Sequence, residues 1–174
     1  MIPNNTIKYV FSELADAISL TVIRADQPGN APAYPYATYK GISLTNESAH
    51  QNIRSASGVN VTVCEFTDEV YSFNVLDKNR VDRCREYCEN ALHWFKSLDG
   101  RAIGSASGVT FQLINNQVQD RTSILDSDYE SKLGFDVRFL YMNEYVEEVG
   151  QIESVEITPT VDDVEGEPFT IPEE

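Results

Sequence analysis

Asp120–Tyr141, DRTSILDSDYESKLGFDVRFLY, is the stretch on which the fold turns. A turn-rich, Asp-bearing lead-in passes into one long alternating run. Leu133, Phe135, Val137, Phe139 and Tyr141 face one way, and Lys132, Asp136 and Arg138 face the other. A period of two with aromatic and β-branched residues on one side predicts a half-buried antiparallel strand. At ~3.3 Å per residue the run from Ser131 to Tyr141 spans roughly 36 Å, about twice the usual strand. A strand of that length exceeds what one domain needs to close its core, and reads as a platform for assembly.

Working outward, Val109, Phe111 and Leu113 alternate with Thr110 and Gln112, which predicts a short strand before an Asn115-Asn116 turn. A helix is expected from an Asp77 N-cap to about Leu98, stopping near Asp99-Gly100. Its apolar face is Val81, Cys84, Cys88, Ala91, Leu92, Phe95 and Leu98, and His93 and Trp94 sit side by side within it. Val59, Val61 and Val63 alternate with polar residues, and after Thr67-Asp68 the chain returns as Val70 to Leu76, a hairpin by pattern. Residues 46–58, NESAHQNIRSASG, carry no period and read as an extended hairpin arm or a mobile loop. From Tyr36 the chain reads as strand, with a change of apolar phase at Gly41 that predicts a bulge. Residues 26–35 hold three prolines and a glycine and form a loop. An amphipathic helix over 6–19, with Ile7, Val10, Phe11, Leu14, Ala17 and Ile18 on its stripe, opens the chain. SASGV occurs at 55–59 and again at 105–109, a turn-into-strand idiom without the flanking likeness of a true repeat.

The expected architecture is α+β: a mixed, mainly antiparallel sheet packed on one face by two principal helices, with projecting loops. Residues 1–158 form a single domain and 159–174 an acidic extended C-terminal tail, with Ile152 to Ile157 as a last strand. The chain's 174 residues suffice for one core. Its 41% apolar content is that of a globular protein, and no run of eighteen apolar residues suggests a membrane span.

The net charge of −15 is unevenly placed. Residues 139–174 carry eleven Asp or Glu and no Lys or Arg, leaving −4 for residues 1–138. A surface without Lys and Arg cannot hold a duplex by its phosphates, so the block is either a solvated tail or a surface past which DNA moves without specific binding. Asp136, Glu144, Glu147 and Glu148 are the candidates for such an acidic surface.

Cys64, Cys84 and Cys88 lack a disulfide-type spacing and suit a reducing cytoplasm. Cys84 and Cys88 with only His50 and His93 to complete a site make a weak zinc pattern, and the Asp126-x-Asp128 pair lacks the other oxygen ligands of a calcium loop. No phosphate loop, nucleophile elbow or His-Glu-x-x-His motif is present in the sequence. No catalytic residue, metal or cofactor is expected.

The same Asp-Arg-Thr, Tyr-Glu and Gly-Phe-Asp-Val spacing resembles the terminal strand region of the phage neck and tail terminator family. The likeness extends, in order, over roughly 34–157. It takes in the Tyr34-Pro35-Tyr36-x-x-Tyr39 strand, the hairpin of Val59 to Leu76, and the helix of Asn79 to Leu98 with its central Trp94. The resemblance implies a structural virion protein of the tail or neck, assembled in the host cytoplasm. It would form a homo-hexameric ring that ends the tail tube and joins it to the head. The implied partners are other copies of the chain, the tail tube protein and a head completion or connector protein, with the tail sheath as an additional candidate and no membrane. Candidates for the ring and tube interface are Tyr34, Tyr36, Asn46, His50, Arg54, Arg121 and Tyr129. Two alternatives stay open: a head completion or connector adaptor of the same junction, and a small α+β enzyme, which would need a concave pocket with perturbed ionisable groups.

Overall fold

The structure, a computed structural model, describes residues 2–57, 60–78, 80–125 and 128–148, with side chains described outside 45–57 and 123–129. The expected last strand at 152–157 and the acidic tail of 159–174 lie outside the described residues.

In chain order the elements are α1 (Asn4–Ile18), β1 (Val22–Arg24), β2 (Tyr36–Ser57), β3 (Asn60–Lys78), α2 (Val81–Lys96), α3 (Leu98–Ala106), β4 (Val109–Leu113), β5 (Gln119–Asp120), β6 (Ser123–Leu125) and β7 (Asp128–Glu148). The sheet runs β1-β2-β3-β7-β4, with β5 and β6 also paired to β7. Among the described residues only the β1–β2 pair is parallel. The fold is therefore α+β with a mixed, mostly antiparallel sheet, and among the described residues the two expected helices are joined by a third, short one.

β7 is central, as its alternation requires. Leu133, Phe135, Val137 and Phe139 are buried and Tyr141 half-buried, while Lys132, Asp136 and Arg138 lie on the opposite face. Phe11 from α1 is the hub of the core: it stacks on Tyr39 at 4.0 Å and lies 5.8 Å from Phe139. Phe95 from α2 meets Phe135 and Phe111 edge to face. This ring-on-ring packing adds to the burial energy of a core that is apolar on one face of the sheet only. Cys84 and Cys88 belong to it, their Sγ atoms facing the carbonyl oxygens of Ser131 and Leu133 at 3.5 and 3.2 Å. Burial pushes these thiols up to about 11 and about 12, so both stay protonated and unreactive.

Several local expectations are corrected. β3 passes through Thr67-Asp68 without a turn, and its hairpin partner is β2, whose register shifts at Gly41/Ser43 as the phase change predicts. Residues 46–57 are strand, paired to β3 down to Ser57↔Asn60, which settles that stretch as an arm and not a loop. The described residues of the first SASGV copy, 55–57, end this strand, whereas the second copy closes α3 before β4. β1 was not expected; its three residues are too short for a period to show.

Asp77 does not cap α2, whose first turn has no side-chain cap. Its carboxylate instead takes two bonds from Arg83 and one from the Lys78 N–H at 2.7 Å. The helix expected to reach Leu98 ends at Lys96. Ser97 turns the chain, donating to the Trp94 carbonyl and accepting the Gly100 N–H at 3.0 Å to start α3. Val81 and Leu98 consequently leave the apolar face, Leu98 to 82% exposure.

Burial raises the Asp77 carboxyl, but the Arg83 and Lys78 bonds outweigh it and hold the group below the usual carboxylate range. A depressed folded pKa gives stability that is present above the unfolded value, near 4, and lost as pH falls through the folded one. The protein should therefore lose stability in acid below about pH 4. Asp77→Asn should flatten that loss in urea titrations at pH 3 to 6, and an unchanged slope would remove Asp77 from the account.

Candidate assembly surfaces

β2, β3 and β7 continue together past the helices. Among the residues whose side chains are described, none of 42–69 or of 142–148 belongs to the core cluster, yet β3 pairs β7 without interruption from Lys78↔Glu130 to Asn60↔Glu148. The nine residues of β3 from Asn60 to Asp68 make a three-stranded arm of roughly 30 Å. Residues directly opposite one another share a face. By that register Phe66 and Met142 stand together on the face away from the helices, 56% and 46% exposed, and Val146 lies on the same face. Exposed apolar side chains clustered at one end of a sheet mark a contact surface.

The expected interface residues divide between the two ends of the molecule. Tyr34 and Tyr36 lie near the start of β7, their rings 5.4 Å apart, with the Tyr34 hydroxyl donating to Glu130. Tyr36 is buried, which raises its hydroxyl pKa, and Glu130 raises it further. Tyr129 sits on β7 in this region, paired with Ile124. Asn46, His50 and Arg54 lie on the arm portion of β2. Glu130 and Glu144 are fourteen residues apart on one strand, so roughly 46 Å separates the ends.

Arg121 is a clamp. It donates to Ser72, Asn74, Gln119 and Asp136, the last an ion pair at 2.9 Å, and so ties the chain beside β5 across β7 to β3. Its guanidinium fork serves four acceptors that no single ammonium could match. Arg121→Ala should cost ~2 to 3 kcal/mol in urea unfolding, since it strips charged hydrogen bonds from a largely covered Asp136, and Arg121→Lys should recover only part. A loss under ~0.5 kcal/mol would return Arg121 to the class of ordinary surface residues.

The four acidic candidates are likewise not one group. Asp136 is committed to Arg121. Glu144 and Glu148 share its face on the exposed arm, and Glu147 falls by register on the other face.

Two hollows flank the core. One of about 420 Å³ lies between α1, β1 and the β2 bulge and reaches the buried Glu69, which accepts from the Ile2 N–H and the Tyr71 hydroxyl at 2.8 and 2.7 Å. The Glu69 carboxylate is thus committed to contacts within the fold. The other is an open groove of about 980 Å³ beside β4, under α3. Among the described residues no group of three His, Cys, Asp or Glu could hold a metal ion, and no helix is long and apolar enough to cross a membrane.

A three-stranded arm that extends past the core, with exposed apolar side chains on one face, describes a part that is built into something larger. The family model described as phage neck terminator protein matches residues 8–165. The chain belongs to that family. It is a structural component of the phage virion, an interaction partner of other head or tail proteins, and not an enzyme. No curated protein matches it. The match covers all three strands of the arm and every described helix except the first turn of α1. Sequence reasoning missed Phe66 and Met142 as surface residues. The signal was there in part: Phe66 is flanked by Glu65 and Thr67, a polar context that reads as a turn unless the strand is known to continue.

Proposed function

We propose that six copies of this neck terminator close into a ring at the head-proximal end of the tail tube. The ring stops further addition of tube subunits, joins the head completion or connector protein above, and leaves a channel for DNA. The observation that carries this reading is the three-stranded arm, a long stretch of sheet that the core does not use. In a ring each copy offers one surface to the neighbour on one side and a different surface to the other, a heterologous contact closed by rotation. Such closure covers strand edges that would otherwise recruit further chains at random.

The channel wall takes its charge from the arm and the acidic C-terminal region. Salt screens each charge within ~8 Å, so only DNA close to the wall is repelled, and a genome slides past without binding. Glu144 and Glu148, exposed on the arm, are the wall residues this reading favours. Replacing Glu144, Glu147 and Glu148 by Lys should make rings retain DNA at 50 mM salt and release it at 200 mM. Retention that does not change with the triple substitution would put these side chains outside the channel. Growing tubes of tail tube protein in the presence of the chain tests termination: tube length should fall as the chain is added, and undiminished growth would refute the role.

A further inference from the structure

β4 ends the sheet, and among the described residues no strand pairs its outer edge. An open edge is a row of unmatched N–H and C=O groups, a ready template for another strand. Here the edge also forms one side of the 980 Å³ groove, with Val109 and Phe111 as apolar lining. Gly104 lets α3 lie against the start of β4, where a Cβ would come within 2.9 Å of the Val109 carbonyl oxygen and of the Phe111 ring, and at Gly108 the space is open. At its rim stand Lys96 and Arg101, both exposed and neither in an ion pair among the described residues. An extended, acidic segment with alternate apolar side chains would fit such a groove.

The chain itself contains one. Its last ten residues, EGEPFTIPEE, carry Phe169 and Ile171 two apart, so a strand would put both on one side. Pro168 and Pro172 bracket them and limit the strand to a short piece, matched to the five residues of β4. Glu165, Glu167, Glu173 and Glu174 flank it with no cation. From Glu148, where β7 ends, to Phe169 the chain can reach roughly 70 Å, enough to cross to an adjacent copy.

We propose that the C-terminal segment 165–174 of each copy adds as a strand to the β4 edge of its neighbour, with Phe169 and Ile171 in the groove and its acids against Lys96 and Arg101. Main-chain bonds supply affinity and the alternate side chains supply register. The inference rests on the ring reading and names the contact that would tie one subunit to the next. It takes only the acids of 165–174 for the neighbour and leaves those of the arm and of 149–164 to the channel.

The test is a disulfide trap in the full-length protein, with Thr110→Cys combined in turn with Phe169→Cys, Thr170→Cys and Ile171→Cys, oxidised and run on non-reducing gels beside images of the same samples. The native thiols are buried and stay out of the reaction. A ladder of covalent multimers in at least one pairing is expected, reduced several-fold when Lys96→Glu and Arg101→Glu are added. A disulfide confined to single chains would overturn the exchange between copies. Absence of any trapped product in all three would overturn the site itself. Rings imaged without trapping would sink this inference and leave the ring standing, whereas trapped chains that never close into rings would sink the ring and leave the strand addition.

Discussion

Phe139→Ala should remove ~3 to 5 kcal/mol of unfolding free energy, a large share of what holds a domain together. The side chain is fully buried on β7 and touches aromatic rings from every layer of the core: Phe11 of α1 at 5.8 Å, Tyr71 of β3 at 5.0 Å and Phe111 of β4 at 4.9 Å. Because these rings are held by separate elements, they cannot collapse together into the space that is left. Urea unfolding of the purified variant, or its failure to accumulate in soluble form, reads the effect. Met142→Ala, three residues further along the same strand on the exposed face, is the control and should change stability by no more than ~0.5 kcal/mol. Equal losses at the two positions would mean that the faces of β7 are wrongly assigned.

Gly134→Val is expected to be as damaging for a different reason. Gly134 stands on β7 between Asn74 of β3 and Gln119 of β5. A Cβ there would come within 2.2 Å of the Phe73 carbonyl oxygen and 2.4 Å of Asn74 Oδ1. The first obstacle is backbone of the central sheet and cannot swing aside. The second is an acceptor of Arg121, so its displacement would also loosen the clamp. A loss of at least ~3 kcal/mol follows from combined overpacking and network disruption. A double variant with Arg121→Ala should lose less than the sum of the two, since both act on one network. Strict additivity would show that Gly134 is required for space alone.

The central strand was legible in the sequence because β7 is apolar on one face and polar on the other where the helices cover it, which is the condition for a clean period of two. The same rule failed on β3. There Glu65, Thr67 and Glu69 are buried and Phe66 is exposed, the reverse of their hydrophobicity. Glu69 tolerates its position because the Ile2 N–H and the Tyr71 hydroxyl come to it from sequence-distant and local positions, and no local pattern announces such partners. The stretch 46–57 has no period in the sequence, and its backbone pairing with β3 leaves no mark there. At the α2–α3 junction Gly100 reads as a stop signal, yet it sits in the first turn of α3. A Cβ there would meet the Trp94 carbonyl oxygen at 2.1 Å. Among the candidate residues, the sequence offers Arg121 and Tyr34 only as candidates for the ring and tube interface. It could not tell that Arg121 spends its donors within the subunit, because Ser72 and Asn74 are nearly fifty residues away.

The most direct test of the account is an image of assembled tails in which this chain carries a label. Electron cryo-microscopy of the neck should place six copies in one closed ring on the head-proximal end of the tube, with the arm of β2, β3 and β7 built into the ring and Glu144 and Glu148 facing the channel. Label at another site on the virion, or a copy number other than six in the ring, would contradict it.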